Sequence, residues 1–158
     1  MRSHITRALV MFLGAFTLAA VPMHAKTHQC SNASVAGDWG YSYTGTIFTP
    51  GGALPGASVG RYSQDEAGNV TGSQSRSVAG NPGVEDISGT VSVNPDCTGT
   101  ATIEVFVNGQ LQRTTVLALV YDSNSNHARM IFQSVTLPGN VNLPVVITLD
   151  ANRLSSKD

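Results

Sequence analysis

From Gly37 to the C-terminus the apolar residues recur at every second position, and no window long enough to matter shows the 3.6-residue repeat of a helix. A chain patterned this way can bury its apolar side chains only by folding into strands that present one face to a core. The first segment, "GDWGYSYTGTI" (37–47), places Trp39, Tyr41, Tyr43 and Ile47 on one face and Gly40, Ser42, Thr44 and Thr46 on the other. The face with the rings is expected inside.

Turn chemistry divides the rest. After a Gly/Pro-rich loop, "TPGGALPGA", the segment "SVGRYSQ", the turn "DEAGN" and the segment "VTGSQSRSVA" read as a hairpin. A second loop, "GNPGV", leads into "EDISGTVSV", with Ile87, Val91 and Val93 on the face of Gly89. The turn "NPDC" follows, where Asn94 and Asp96 can bond the local backbone and Pro95 presets its dihedral. In "TGTATIEVFV" the residues Ala101, Ile103, Val105 and Val107 point inward. Asn108-Gly109 is a two-residue hairpin signal, because both positions want positive φ. "QLQRTTVLALVYD", the turn "SNSNH", "ARMIFQSV" and "LPVVITLDANRL" complete the chain. This amounts to about eight strands, with no connection long enough for a parallel crossover. A single up-and-down antiparallel β-barrel is expected, since closure removes both exposed edges; a two-sheet β-sandwich is the alternative.

The N-terminus belongs to a different category. "MRSHITRALVMFLGAFTLAAVPMHA" has Arg2 and Arg7, an apolar run from Ala8 to Ala20 and a small-residue exit, the plan of a secretory signal peptide over residues 1–25, with cleavage after Ala25 or after Ala20. The run is shorter than the ~20 residues of a membrane span, so no transmembrane anchor is expected. Residues 26–158 then form one domain, large enough to bury a core without a structural metal. It carries seven Lys and Arg against ten Asp and Glu, a net charge of about −3, with no basic cluster, which argues against a nucleic-acid partner. Export to an oxidising compartment, secreted or periplasmic, makes one disulfide between Cys30 and Cys97 the simple expectation for the two cysteines.

No catalytic constellation emerges. Beyond His28, His127 is the only histidine after residue 25, and it falls in a turn; a His-based triad or metal site is not expected, nor is any cofactor. Asp65 with Glu66 and Glu85 with Asp86 are adjacent carboxylates, which point to opposite faces in strands and are solvated in turns. Asp96, Thr98 and Thr100 are close enough together to form a polar site at a barrel rim, although turn bonding accounts for them more simply. The functional signal is the aromatic face: Trp39, Tyr41 and Tyr43 lining a pocket, with Arg61 on the next strand as the polar group that orients a small ligand.

The stretches "CSNASVAGDWGYSYTGT", "DEAGNVTG" and above all "GTVSVNPDCTGTATI" resemble a family of small exported bacterial proteins of unassigned function that carry a DCTGT motif. The overall plan is similar to the calycin and allene oxide cyclase-like barrels, and Gly37-Asp38-Trp39 matches the Gly-x-Trp of the first lipocalin strand. That likeness implies a barrel whose interior takes small apolar molecules. The expectation is an exported, non-enzymatic binding module for a small apolar or amphipathic ligand. The alternatives are a structural or interaction protein of the cell envelope and, third, an isomerase acting in a barrel pocket.

Overall fold

In the computed structural model, which describes residues 29–156, the period-two segments are strands of one closed sheet. A single helical turn, α1 (Asn32–Val35), precedes β1 (Gly37–Thr49), β2 (Gly52–Gln64), β3 (Asn69–Val78), β4 (Asn81–Val93), β5 (Thr98–Val107), β6 (Gln110–Tyr121), β7 (His127–Leu137), β8 (Val141–Leu143) and β9 (Val145–Ser156). Each strand from β1 to β7 pairs antiparallel with the next, and β9 pairs with both β7 and β1, which closes an eight-stranded barrel. The short β8 adds to the far end of β7. The barrel is therefore the architecture and the sandwich alternative falls away. The expected signal peptide, residues 1–25, lies outside the described residues, among which no helix is long and apolar enough to cross a membrane.

Two stretches expected as loops are strand. Only Pro50 and Gly51 turn the chain between β1 and β2, since Thr49 already pairs with Gly52. Pro55 is tolerated inside β2 because its carbonyl accepts from Ala79 N–H at 2.8 Å, past the end of the β2–β3 ladder. Its ring nitrogen faces the same way, so the missing N–H costs no ladder bond. Likewise "GNPGV" contributes only Gly80 to a two-residue turn with Ala79, both at positive φ (49° and 84°), and β4 begins at Asn81. The expected Asn108-Gly109 turn has φ of 51° and 75°. The expected final strand, 143–154, is β9, and the three-residue β8 before it is an addition, set apart by Pro144; a residue with no N–H interrupts the pairing.

The inward set is continuous around the barrel. Trp39, Tyr41, Tyr43, Gly45 and Ile47 on β1 face Ser58, Gly60, Tyr62 and Gln64 on β2, and the series continues through Val70, Ile87, Val91, Ala101, Val105, Leu117, Met130 and Ile147. Small residues make room for the rings. A Cβ on Gly60 would stand 2.6 Å from the Tyr41 ring, so the tyrosine lies flat across the neighbouring strand only because that position has no side chain.

Candidate functional site

The two ends of the barrel are built differently. At the end where β1 begins, the segment before it folds across the opening. Cys30 is disulfide-bonded to Cys97, as expected from the sequence, and its N–H donates to the Pro95 carbonyl at 3.3 Å. Ser31 caps α1 with a reciprocal bond pair to Ser34. The Asn32 side chain accepts from Val93 N–H and donates to the Ala67 carbonyl, fastening α1 to β4 and to the β2–β3 turn. Val35 and Trp39 are fully buried beneath this cap, and the Trp39 indole donates to the Val35 carbonyl at 3.1 Å. Tyr62 stacks on Trp39, Tyr121 meets it edge-on, and the Arg153 guanidinium lies 5.5 Å over the indole while donating to the carbonyls of Ser34 and Ala36. This end is plugged by packed rings.

Beyond it the interior loosens. A cavity of about 60 Å³ in the middle of the barrel is walled by Tyr41, Tyr62, Val70, Ile87, Leu117 and Phe132 among others, nearly all apolar surface. At the opposite end, where β1 finishes, a larger pocket of about 200 Å³ opens between Tyr43, Ile47, Phe132, Val135 and Ile147 on one side and Arg76 and Arg113 on the other. Phe132 borders both spaces and packs edge-on against Tyr43, with ring centroids 5.6 Å apart.

The polar wall of this mouth is a network around Glu85. Arg113 grips the carboxylate with two parallel bonds, Nη1 to Oε1 at 2.8 Å and Nη2 to Oε2 at 2.6 Å. Arg76 Nε donates to Oε1 at 2.9 Å and Gln74 Nε2 to Oε2 at 2.6 Å. These four bonds fill the acceptor sites of a carboxylate. The Gln74 carbonyl oxygen in turn accepts from Tyr41 Oη at 2.8 Å and Ser58 Oγ at 3.1 Å, which ties the arginines to the aromatic row of β1. The Glu85 side chain is 1% exposed, whereas Arg76 and Arg113 keep 26% and 19% of theirs open to solvent. Burial would raise the pKa of Glu85, but the hydrogen bonds and charge of Arg113, joined by Arg76 and Gln74, outweigh it and hold the carboxyl down to about 2. Burial also pushes the Tyr41 and Tyr43 hydroxyls upward, so both stay neutral.

The residues expected to form a pocket are thus distributed along its axis. Trp39, Tyr41 and Tyr43 share one inward row, but Trp39 belongs to the plugged end, Tyr41 to the central cavity and Tyr43 to the mouth. Arg61 does not face the interior. Its neighbour Tyr62 takes the inward position, and Arg61, paired in register with outward Gly40, reaches across the outer surface to Asp38 at 3.1 Å with 65% of its side chain exposed. Glu85 and Asp86 point to opposite faces, as adjacent residues of a strand do, and Glu85 on the inner face is the most enclosed charge among the described residues. Asp96 accepts from the Thr98 N–H and hydroxyl, a local turn bond. His127 meets Asp150 at 2.9 Å, and no group of three metal-ligating side chains occurs among the described residues.

Arg76, Glu85 and Arg113 were open to detection. Arg76 and Gln74 share the parity of Val70, Glu85 that of Ile87, and Arg113 that of Leu117 and Leu119. Charged residues at inward parity on β3, β4 and β6 are the signal. It weakens at Arg113, because Val105 pairs with Arg113 but Phe106 with Leu111, a bulge at Gln112 that breaks the alternation at the rim.

A scan against protein-family models finds no match to this chain, and a search of curated proteins finds none either.

Proposed function

We propose that this is an exported, non-enzymatic barrel that holds a small amphipathic molecule in its open mouth. The observation that carries this reading is the pocket itself: apolar on the side of β1, β7 and β9, charged on the side of β3 and β6, and backed by an apolar cavity, while the other end is plugged. Concave sites of this kind, mostly apolar with a few convergent polar groups, are where barrels take ligands. The likeness to exported bacterial proteins with the DCTGT motif and to the calycin-type barrels is in keeping with it, as is the Cys30–Cys97 disulfide, which suits an oxidising compartment.

Glu85 argues for binding rather than catalysis. A general base needs a free lone pair and a pKa near the working pH. Glu85 has all four acceptor sites engaged and a pKa held to about 2, so it serves to position the arginines.

The test is fluorescence titration with Nile red, a neutral dye that brightens in apolar sites. Trp39 is a poor intrinsic reporter because it sits at the plugged end. Val78 also lines the mouth, and saturable enhancement in the wild type, lost when Val78→Trp fills that space, is the expected result. No enhancement, or enhancement indifferent to Val78→Trp, would remove the reading.

A further inference from the structure

We propose that the mouth selects ligands bearing a single carboxylate, seated on Arg76 and Arg113 with the apolar tail lying toward Phe132. This rests on the mouth-binding reading above and adds a charge and a shape to it.

The charge follows from the balance of the network. Two guanidinium groups share one carboxylate, so the cluster retains one positive charge, and no acidic side chain other than Glu85 touches it at the pocket. A monoanion would neutralise that charge in a place walled by apolar groups. A dianion would leave an excess negative charge there, and a neutral head group would leave the positive one uncompensated.

The shape follows from how the donors are spent. Arg113 commits both Nη atoms to Glu85, while Arg76 commits Nε to Glu85 and Nη1 to the Asn81 carbonyl. Arg76 Nη2 has no partner among the described residues. Gly83, on the inward parity of Glu85, keeps the space under this guanidinium clear: a Cβ there would stand 3.3 Å from Nη2 and 3.2 Å from Cζ. The guanidinium planes are therefore held by Glu85 before any ligand arrives, which lowers the ordering cost of a charge-assisted contact to a planar head. Tyr43, Ile47, Val135 and Ile147 offer the tail its apolar wall, and Phe132 separates it from the central cavity.

Isothermal titration calorimetry with octanoate, octanol and octyl phosphate separates the possibilities. Wild-type protein is expected to bind octanoate at least about tenfold more tightly than octanol, with the difference shrinking at high salt. Arg76→Gln is expected to bring octanoate down to the octanol level. The wild-type comparison stands on its own should that variant fail to fold. Octanol binding as tightly as octanoate would overturn the carboxylate assignment while leaving the mouth-binding reading in place. Octyl phosphate binding more tightly than octanoate would also overturn it. If none of the three binds and Nile red does not either, the mouth-binding reading fails as well.

Discussion

A carboxylate as enclosed as Glu85 survives in the barrel because each of its lone pairs meets a donor, and the two arginines and Gln74 are in turn placed by it. Removing the charge would leave two partly buried guanidiniums without their partner. Glu85→Gln is therefore expected to cost about 3 kcal/mol near neutral pH, the lower end for breaking a buried pair because both arginines reach solvent. The pH dependence follows in sign. Folded, the carboxyl titrates at about 2; unfolded, it returns to about 4.3. Between these values the unfolded chain binds more protons, so its contribution is complete above about pH 5 and is lost as pH falls toward 2, on the order of 3 kcal/mol in all. Asp38, Asp65 and Asp96, each lowered by hydrogen bonds to neighbouring side chains or backbone, push in the same direction. Urea melts across this range should show the gap between wild type and Glu85→Gln closing as pH falls. A gap independent of pH would mean that the carboxylate is not ionised in the network.

The elements divide the work between a fixed end and an open one. α1 and the residues around it have little core of their own, and they stay over the barrel through the disulfide, the Asn32 bonds and the Arg153 bonds. The disulfide closes a loop with a sequence separation of 67, for which the chain-entropy model gives roughly 4 kcal/mol. Replacing both cysteines by serine should lower stability by up to that amount. Hydrogen exchange should quicken first at α1 and at the start of β1, with amides of β3 and β4 near the mouth less affected; uniform acceleration would contradict a local cap. The strands themselves were legible in the sequence because turn chemistry and alternation agree, as at Asn108-Gly109 and in the Trp39, Tyr41, Tyr43 row. Glycine and proline inside strands, at Gly52–Ala57 and Asn81–Val84, look like loops in the sequence, yet the turns there take only two residues and Pro55 sits where no ladder bond is needed. Arg61 reads as inward only if the odd parity of Val59 is taken for the apolar face of β2; the inward set there is Ser58, Gly60, Tyr62 and Gln64, so Val59 and Arg61 both face solvent, whereas at Glu85 the usual solvation of a charge gives way to pairing with Arg76 and Arg113.

As a whole, the molecule is a closed sheet with a packed core at one end and unfilled space at the other. Closure leaves no long free edge, so most polar backbone groups are spent within the barrel and recognition falls to the two openings and to the outer faces. The plugged end offers rings already stacked on one another, around Trp39. The mouth offers apolar wall, two cations and a cavity behind them, the asymmetry on which the proposed binding role rests. Exposed apolar residues on the outer faces, such as Val59 and Val84, stand in one row but with Ser75 between them, as isolated surface side chains commonly do. The most direct measurement is a two-dimensional NMR titration of the isotope-labelled protein with octanoate. Saturable shifts concentrated at Tyr43, Arg76, Arg113, Phe132 and Val135, with Trp39 and Tyr121 at the plugged end unmoved, are the predicted result. No saturable shift, or shifts centred on the outer wall or on the plugged end, would contradict it.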